Sequence, residues 1–239
     1  MSNWLERAEL LLGSEQLEVL NQSHVMVIGL GGVGGFAAES ICRAGVGKMT
    51  IVDGDTVDLS NKNRQLIALD STEGQNKAHA LANRLKDINP DLKINIVDEY
   101  LDITNMRDLL NREYDFLIEA IDTVAPKFHV IKQSYENRRP FVSAMGAGGK
   151  LDPTKIEIAD ISKTYGCKLA KNIRKKLSKA RIKKGVTVVY SPEIIDIEKV
   201  YVKEGMRNKK SVIGTISYLP PLFGGYCASV AIRTLIGEI

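Results

Sequence analysis

Cysteine is scarce in this chain. Cys42, Cys167 and Cys227 are the three present in 239 residues, too few and too scattered for a disulfide framework. No two stand in C-x-x-C spacing, which excludes a four-cysteine zinc knuckle, so no zinc is expected. Histidine is as sparse. His24, His79 and His129 lie far apart and match no metal-ligand spacing, and no Ser-His-Asp or Cys-His pattern is visible. Long apolar runs are missing too. The most apolar stretch, Ile216 to Ile236, holds Pro220, Pro221, Gly224, Gly225 and Arg233. These breakers and the charge favour a buried loop followed by a helix, and no stable membrane insertion is expected. The segment Met1 to Arg7 has no apolar leader, so a reducing, cytoplasmic setting is the default expectation.

What is present is ordinary globular material, 44% hydrophobic and 26% charged, enough to bury a core as one compact domain over residues 1–239. The net charge of +4 hides an asymmetry. Ten Lys/Arg and no acid fall between Ser162 and Gly185, which leaves the rest of the chain net acidic. Leu169, Ile173, Leu177 and Ala180 recur at helical spacing inside that run. Lys168, Lys171, Arg174, Lys175, Lys176, Lys179 and Arg181 cover the remaining surface of the helix. Solubility alone would be served by mixed signs. A one-sign cluster is the footprint of a phosphate-rich partner, so contact with nucleic acid is expected at residues 162–185.

The order of segments predicts an α/β fold. Trp4 to Leu20 reads as a helix and His24 to Gly29 as a short apolar strand. A glycine-rich turn follows, then a helix from Phe36 to Ala44 and a second strand ending at Asp53. This opens a doubly wound, Rossmann-like, mainly parallel sheet, with its nucleotide-binding core at 22–150. Beyond Gly146 the alternation changes. Ile156 to Ile161 and Val186 to Tyr190 read as strands flanking the basic helix, a C-terminal β extension with a basic helical insertion.

Gly29, Gly31 and Gly34 fit G-x-G-x-x-G, with Gly32 an additional glycine. Glycine permits the tight turn and lets backbone N–H groups approach a phosphate at a helix N-terminus. Asp53 lies 22 residues beyond Gly31, where a carboxylate receives ribose hydroxyls. A NAD-dependent dehydrogenase or a non-catalytic nucleotide sensor would share these features. The next loop argues otherwise: Asp55, Asn61, Arg64 and Gln65, with Lys77 beyond, gather cations and amides near one nucleotide. A triphosphate about to release pyrophosphate needs such donors; a cradled dinucleotide needs fewer.

The run Asp53-Gly-Asp-Thr-Val-Asp-Leu-Ser-Asn-Lys-Asn-Arg-Gln65 resembles the D-x-D-x-V-x-x-S-N-x-x-R-Q signature of the ubiquitin-activating enzyme superfamily. Lys77 in Gly74-Gln-Asn-Lys and Asp122 in Ala-Ile-Asp match further motifs, and Arg7 resembles an N-terminal arginine that acts across a dimer. The resemblance implies that Gly29, Gly31, Gly32, Gly34, Asp53 and Asp55 bind ATP. It implies that Asn61, Arg64, Gln65 and Lys77 hold phosphates, that Asp122 holds Mg2+, and that Arg7 serves the partner site of a homodimer. Arg7, Arg64, Lys77 and Asp122 are then the catalytic set.

Around Cys167-Lys-Leu-Ala-Lys-Asn-Ile-Arg-Lys-Lys-Leu and Val188-Val-Tyr-Ser-Pro-Glu193 the chain is similar to one subfamily, the tRNA threonylcarbamoyladenosine dehydratases. Lys171 stands where that hallmark has its first arginine, and the Asp-Pro that opens the hallmark is replaced. The resemblance implies ATP-dependent cyclisation of threonylcarbamoyladenosine in tRNA through an acyl-adenylate. The same subfamily is linked to cysteine desulfurases. Cys167, heading a basic helix, would be the thiol to take sulfur from such a system. The alternative within the superfamily is an adenylyltransferase for the Gly-Gly tail of a ubiquitin-like sulfur carrier.

Overall fold

The computed structural model describes residues 4–196, 198, 200–202 and 211–239. The chain enters through two helices, α1 (Glu6–Leu12) and α2 (Ser14–Gln22). The sequence predicts one continuous helix here, but it breaks at Gly13, whose φ of 86° lies outside the helical region. There follow β1 (His24–Ile28), α3 (Gly34–Arg43), β2 (Lys48–Val52), α4 (Lys77–Ile88), β3 (Lys93–Val97), α5 (Ile103–Leu110), β4 (Phe116–Glu119), α6 (Val124–Glu136) and β5 (Phe141–Ala144).

Seven strands form one sheet in the order β3-β2-β1-β4-β5-β7-β6, where β6 is Glu157–Asp160 and β7 is Thr187–Tyr190. β7 runs parallel to β5 and so extends the parallel sheet. β6 closes the edge antiparallel to β7. Between β6 and β7 lies the basic helix α7 (Lys168–Lys179). A separate hairpin, β8 (Val200–Val202) with β9 (Ser211–Ile213), precedes α8 (Leu219–Leu235). The sequence pattern holds no sign of this hairpin.

All five residues of β1 are buried. Val25 and Val27 face one core with α3, α4 and α8, while Met26 and Ile28 face the other with α5, α6 and α7. A strand covered on both faces is why this segment reads as an unbroken apolar run rather than an alternating one. Pro220 and Pro221 sit in the first turn of α8, where a missing N–H costs nothing. No described helix is long and apolar enough to cross a membrane.

Candidate active site

The strand order reverses between β1 and β4, with β2 and β3 on one side and β5 on the other. Open parallel sheets bind ligands outside the carboxyl ends of the strands at such a reversal. Gly29 closes β1 with φ 87° and packs on Ala120 at the end of β4. A Cβ on Gly34 would fall on the carbonyl oxygen of Gly29, so the strand can turn into α3 this tightly only with glycine there. The first turn of α3 carries no acid, and a helix N-terminus favours an anion.

Asp53 directly follows β2 and braces the turn. Its carboxylate accepts the Leu30 N–H at 2.7 Å and the Asp55 N–H at 2.8 Å. Burial pushes its pKa above the usual carboxylate value, against the opposing pull of Lys77. Lys77 opens α4 and is itself buried; its Nζ lies 3.0 Å from Asp55 Oδ2. The Tyr100 hydroxyl donates to Asp55 Oδ1 at 2.8 Å.

The loop after Asp53 folds back over the glycine turn. The Arg64 carbonyl oxygen lies 3.0 Å from where a Gly32 Cβ would stand, and Gln65 Nε2 3.7 Å from that of Gly31. Asn61 closes a short 3-10 turn (Leu59–Asn61) in the same loop. Arg64 donates from Nη1 to the Ser60 carbonyl at 3.0 Å and to Asn63 Oδ1 at 2.9 Å. Burial lowers its pKa, while the nearby Asp122 carboxylate raises it. Gln65 Oε1 is buried and has no hydrogen-bond partner among the described residues. An unsatisfied amide beside a glycine turn suits a bound ligand, because leaving such a group unpaired carries a desolvation cost.

Asp122 stands three residues past β4 on a fixed base. The fully buried Glu119 accepts the Ile121 N–H at 2.8 Å, pairs with Lys127 Nζ at 2.5 Å and accepts from Ser143. Burial raises the Glu119 pKa despite Lys127. Among the described residues no three His, Cys, Asp or Glu come together as a metal cage. A single carboxylate beside phosphate oxygens is the donor set that magnesium accepts, since it keeps several waters and leans on its substrate.

Arg7 is not brought to the crevice of its own chain. It is exposed on α1, and the neighbouring Leu5 packs on Gly45, beyond the opposite end of α3 from the glycine turn. A ten-residue helix separates the two, about 15 Å at the α-helical rise.

Of the basic set, Lys168, Lys171, Lys175, Lys176, Lys179 and Arg181 are exposed, with Lys176 Nζ lying 5.5 Å from the centre of the Phe128 ring. Arg174 turns inward instead. Its Nη1 donates to the Thr164 carbonyl at 2.7 Å and to Thr164 Oγ1 at 2.5 Å. Cys167 is buried as the N-cap of α7, its Sγ 3.5 Å from the Ala170 N–H. The Tyr-Ser-Pro-Glu run is architectural. Tyr190 bonds Glu157 at 2.8 Å, and Glu193 accepts the backbone N–H groups of Leu151 and Asp152 at 3.1 Å.

With this geometry in place, the match of a family model over residues 5–239 carries weight: it is that of the ThiF family. The chain belongs to the ThiF family. Within the ThiF proteins it is 40% identical over 239 residues to a Bacillus subtilis tRNA threonylcarbamoyladenosine dehydratase, covering all of this chain and 94% of that one. The crystal structure of the Escherichia coli tRNA N6-threonylcarbamoyladenosine dehydratase in complex with ATP superposes with a TM-score of 0.87 at 32% identity, covering 97% of this chain and 93% of that one. A molybdopterin-synthase adenylyltransferase of Escherichia coli is 33% identical over 63% of this chain and 60% of its own length. Of these two relatives by sequence, the dehydratase matches along the whole chain and the adenylyltransferase along 63% of it.

Sequence reasoning missed three contributors to this ThiF site. Asn63 links Arg64 to the Thr215 carbonyl, 2.9 Å from its Nδ2. Tyr100 steadies Asp55. The Glu119–Lys127–Ser143 group fixes the segment leading to Asp122. Only the last left a signal, a glutamate inside the apolar run Phe116-Leu-Ile-Glu-Ala-Ile, since buried carboxylates are rare without a partner.

Proposed function

We propose that this chain catalyses the ATP-dependent dehydration of threonylcarbamoyladenosine in the anticodon loop of tRNA, through an adenylate of the threonyl carboxylate. The observation that carries the reading is the loop folded back on the glycine turn, which sets Arg64 beside Asp122 at the sheet's reversal point. A dinucleotide whose pyrophosphate is already cradled by the turn has less need of that cation. A reaction expelling pyrophosphate does, because charge accumulates on the departing group.

The roles follow from position. The N–H groups of the turn from Gly29 to Gly34 cradle phosphate, and Asp53 and Asp55 stand at the ribose end. Asn61, Arg64, Gln65 and Lys77 hold the triphosphate. Burial of Lys77 strengthens its field on a phosphate, since less water screens it. Asp122 is the residue that would hold magnesium, which supplies charge neutralisation at the phosphates when bound. A substrate carboxylate oxygen attacks the α-phosphorus and pyrophosphate leaves. The ureido nitrogen of the same nucleoside then attacks the acyl carbon, and AMP leaves. That closure is intramolecular, for which effective molarities reach ~10⁵ M or more, and no protein nucleophile is needed.

Arg7, remote from its own crevice, acts in the partner's site of a homodimer. The exposed lysines of α7 hold the RNA. We read Cys167 as a helix cap rather than the acceptor of a cysteine-desulfurase system, because it is buried. The cytoplasm, where tRNA and ATP meet, is the setting this chemistry calls for.

Pyrophosphate exchange into ATP tests the reading. tRNA bearing threonylcarbamoyladenosine should stimulate exchange. Asp122→Ala should abolish exchange yet bind tRNA as the parent does, and undiminished exchange in that variant would remove Asp122 from the metal site. Stimulation only by a carrier protein with a Gly-Gly tail would replace the RNA assignment with the sulfur-carrier alternative.

A further inference from the structure

Tyr165 combines two properties that seldom coexist. Its side chain is 61% exposed, yet the backbone that displays it is held on both sides. Arg174, drawn from the basic set, ties down the Thr164 carbonyl and hydroxyl immediately before it. Immediately after it, Gly166 lies so close to the Pro192 carbonyl that a Cβ there would collide. The ring itself stands edge-on to the buried Tyr190, with centroids 6.1 Å apart and an interplanar angle of 74°. Tyr190 is in turn fixed by Glu157.

Its location is equally specific. Tyr165 is two residues ahead of Cys167, the cap of α7, and so precedes by one short turn the helix that carries the exposed Lys168 and Lys171. On the other side, Leu169 approaches Gly146 just past the carboxyl end of β5. The ring therefore lies at the carboxyl end of β7, where Tyr190 stands, on the segment that leads into the basic helix. A rigid, solvent-facing aromatic beside cations is how proteins hold unpaired nucleotides. The ring takes a base face while lysines take the backbone, and single-stranded loops are the part of an RNA whose bases can be splayed onto a ring.

We infer that Tyr165 is a stacking platform for an unpaired anticodon-loop base, seating the loop so that the modified adenosine reaches the crevice. Arg174 is then a positioning residue for that platform and does not bind phosphate. The inference rests on the RNA reading proposed above, and the two fail in different ways.

The experiment measures binding of an anticodon stem-loop RNA, and of a blunt duplex of equal length, across a salt series. Tyr165→Ala should weaken stem-loop binding roughly 5- to 150-fold, the effect of removing one stacked base. The slope of log affinity against log salt should stay as in the parent, because every phosphate keeps its cation. Duplex binding should not change, and Tyr165→Phe should bind like the parent. In Tyr165→Trp, whose only other tryptophan is Trp4, the stem-loop should quench the new fluorescence and the duplex should not. This readout also stands alone if the alanine variant fails to fold. The inference is overturned if Tyr165→Ala binds the stem-loop as tightly as the parent, if its weakening is equal for the duplex, or if the tryptophan is not quenched. If the parent binds neither RNA, the function proposed above falls instead.

Discussion

Glu119 and Lys127 lie behind Asp122, and Glu119 holds the backbone N–H of its neighbour Ile121. Both side chains are fully buried and joined at 2.5 Å. Removing one partner of such a pair leaves an uncompensated charge, a loss of about 3–5 kcal/mol. Lys127→Met should lower the denaturant midpoint accordingly. The penalty has a sign in pH. Burial holds the folded-state Glu119 pKa above its ordinary value, so whatever stability its neutral form provides is lost as pH rises through that raised pKa. Without Lys127 to stabilise the charged form, the variant should lose more stability near pH 8 than near pH 5, a trend that denaturant melts would resolve. A pH-independent loss would mean that packing, not charge, accounts for the effect. At this scale the sequence was informative where a residue type is demanded by the backbone, as at Gly29 and Gly34. It was silent where the partner is distant: Asn63 meets Thr215 across 152 positions.

The basic helix separates what a sequence pattern can and cannot resolve about an element. Its apolar stripe was legible in part: Ile173 and Leu177 are buried, Leu169 and Ala180 are half-buried, and Ala170, outside the stripe, is buried with them. Spacing alone could not distinguish a cation facing solvent from one folded back on the preceding turn, and Arg174 is the latter. Reversing Lys171, Lys175 and Lys179 to glutamate should therefore weaken tRNA binding and flatten its salt dependence, by roughly 0.7–0.9 in slope for each phosphate no longer neutralised. Filter binding at several salt concentrations would show it, and an unchanged slope would make the helix a solvated face. α6 can start at Val124 because Pro126 is tolerated in a first turn. The β8–β9 hairpin left no mark in the pattern because three-residue strands carry too little periodicity to register.

For the whole molecule, the parallel sheet and its reversal point were foreseeable from the strand–glycine–helix–strand opening. The joining of β7 to β5 was not, since that pairing closes over the entire α7 insertion. The position of Arg7 beyond the far end of α3 has a consequence for assembly. If it completes a neighbour's site, Arg7→Ala and Asp122→Ala proteins, each inactive alone, should complement when refolded together. Half of a random mixture is then heterodimer with one intact site of two, giving roughly a quarter of parental activity. No recovery in confirmed heterodimers would place Arg7 outside the chemistry.

The central claim is that the crevice transfers adenylate from ATP to a carboxylate on tRNA so that the nucleoside can close on itself. Its most direct test is mass spectrometry of nucleosides from tRNA incubated with the protein, ATP and magnesium. The account predicts a loss of about 18 Da, one water, on the threonylcarbamoyl-bearing adenosine, with AMP and pyrophosphate released in step. Unaltered tRNA under conditions where the protein binds both ATP and RNA would contradict it.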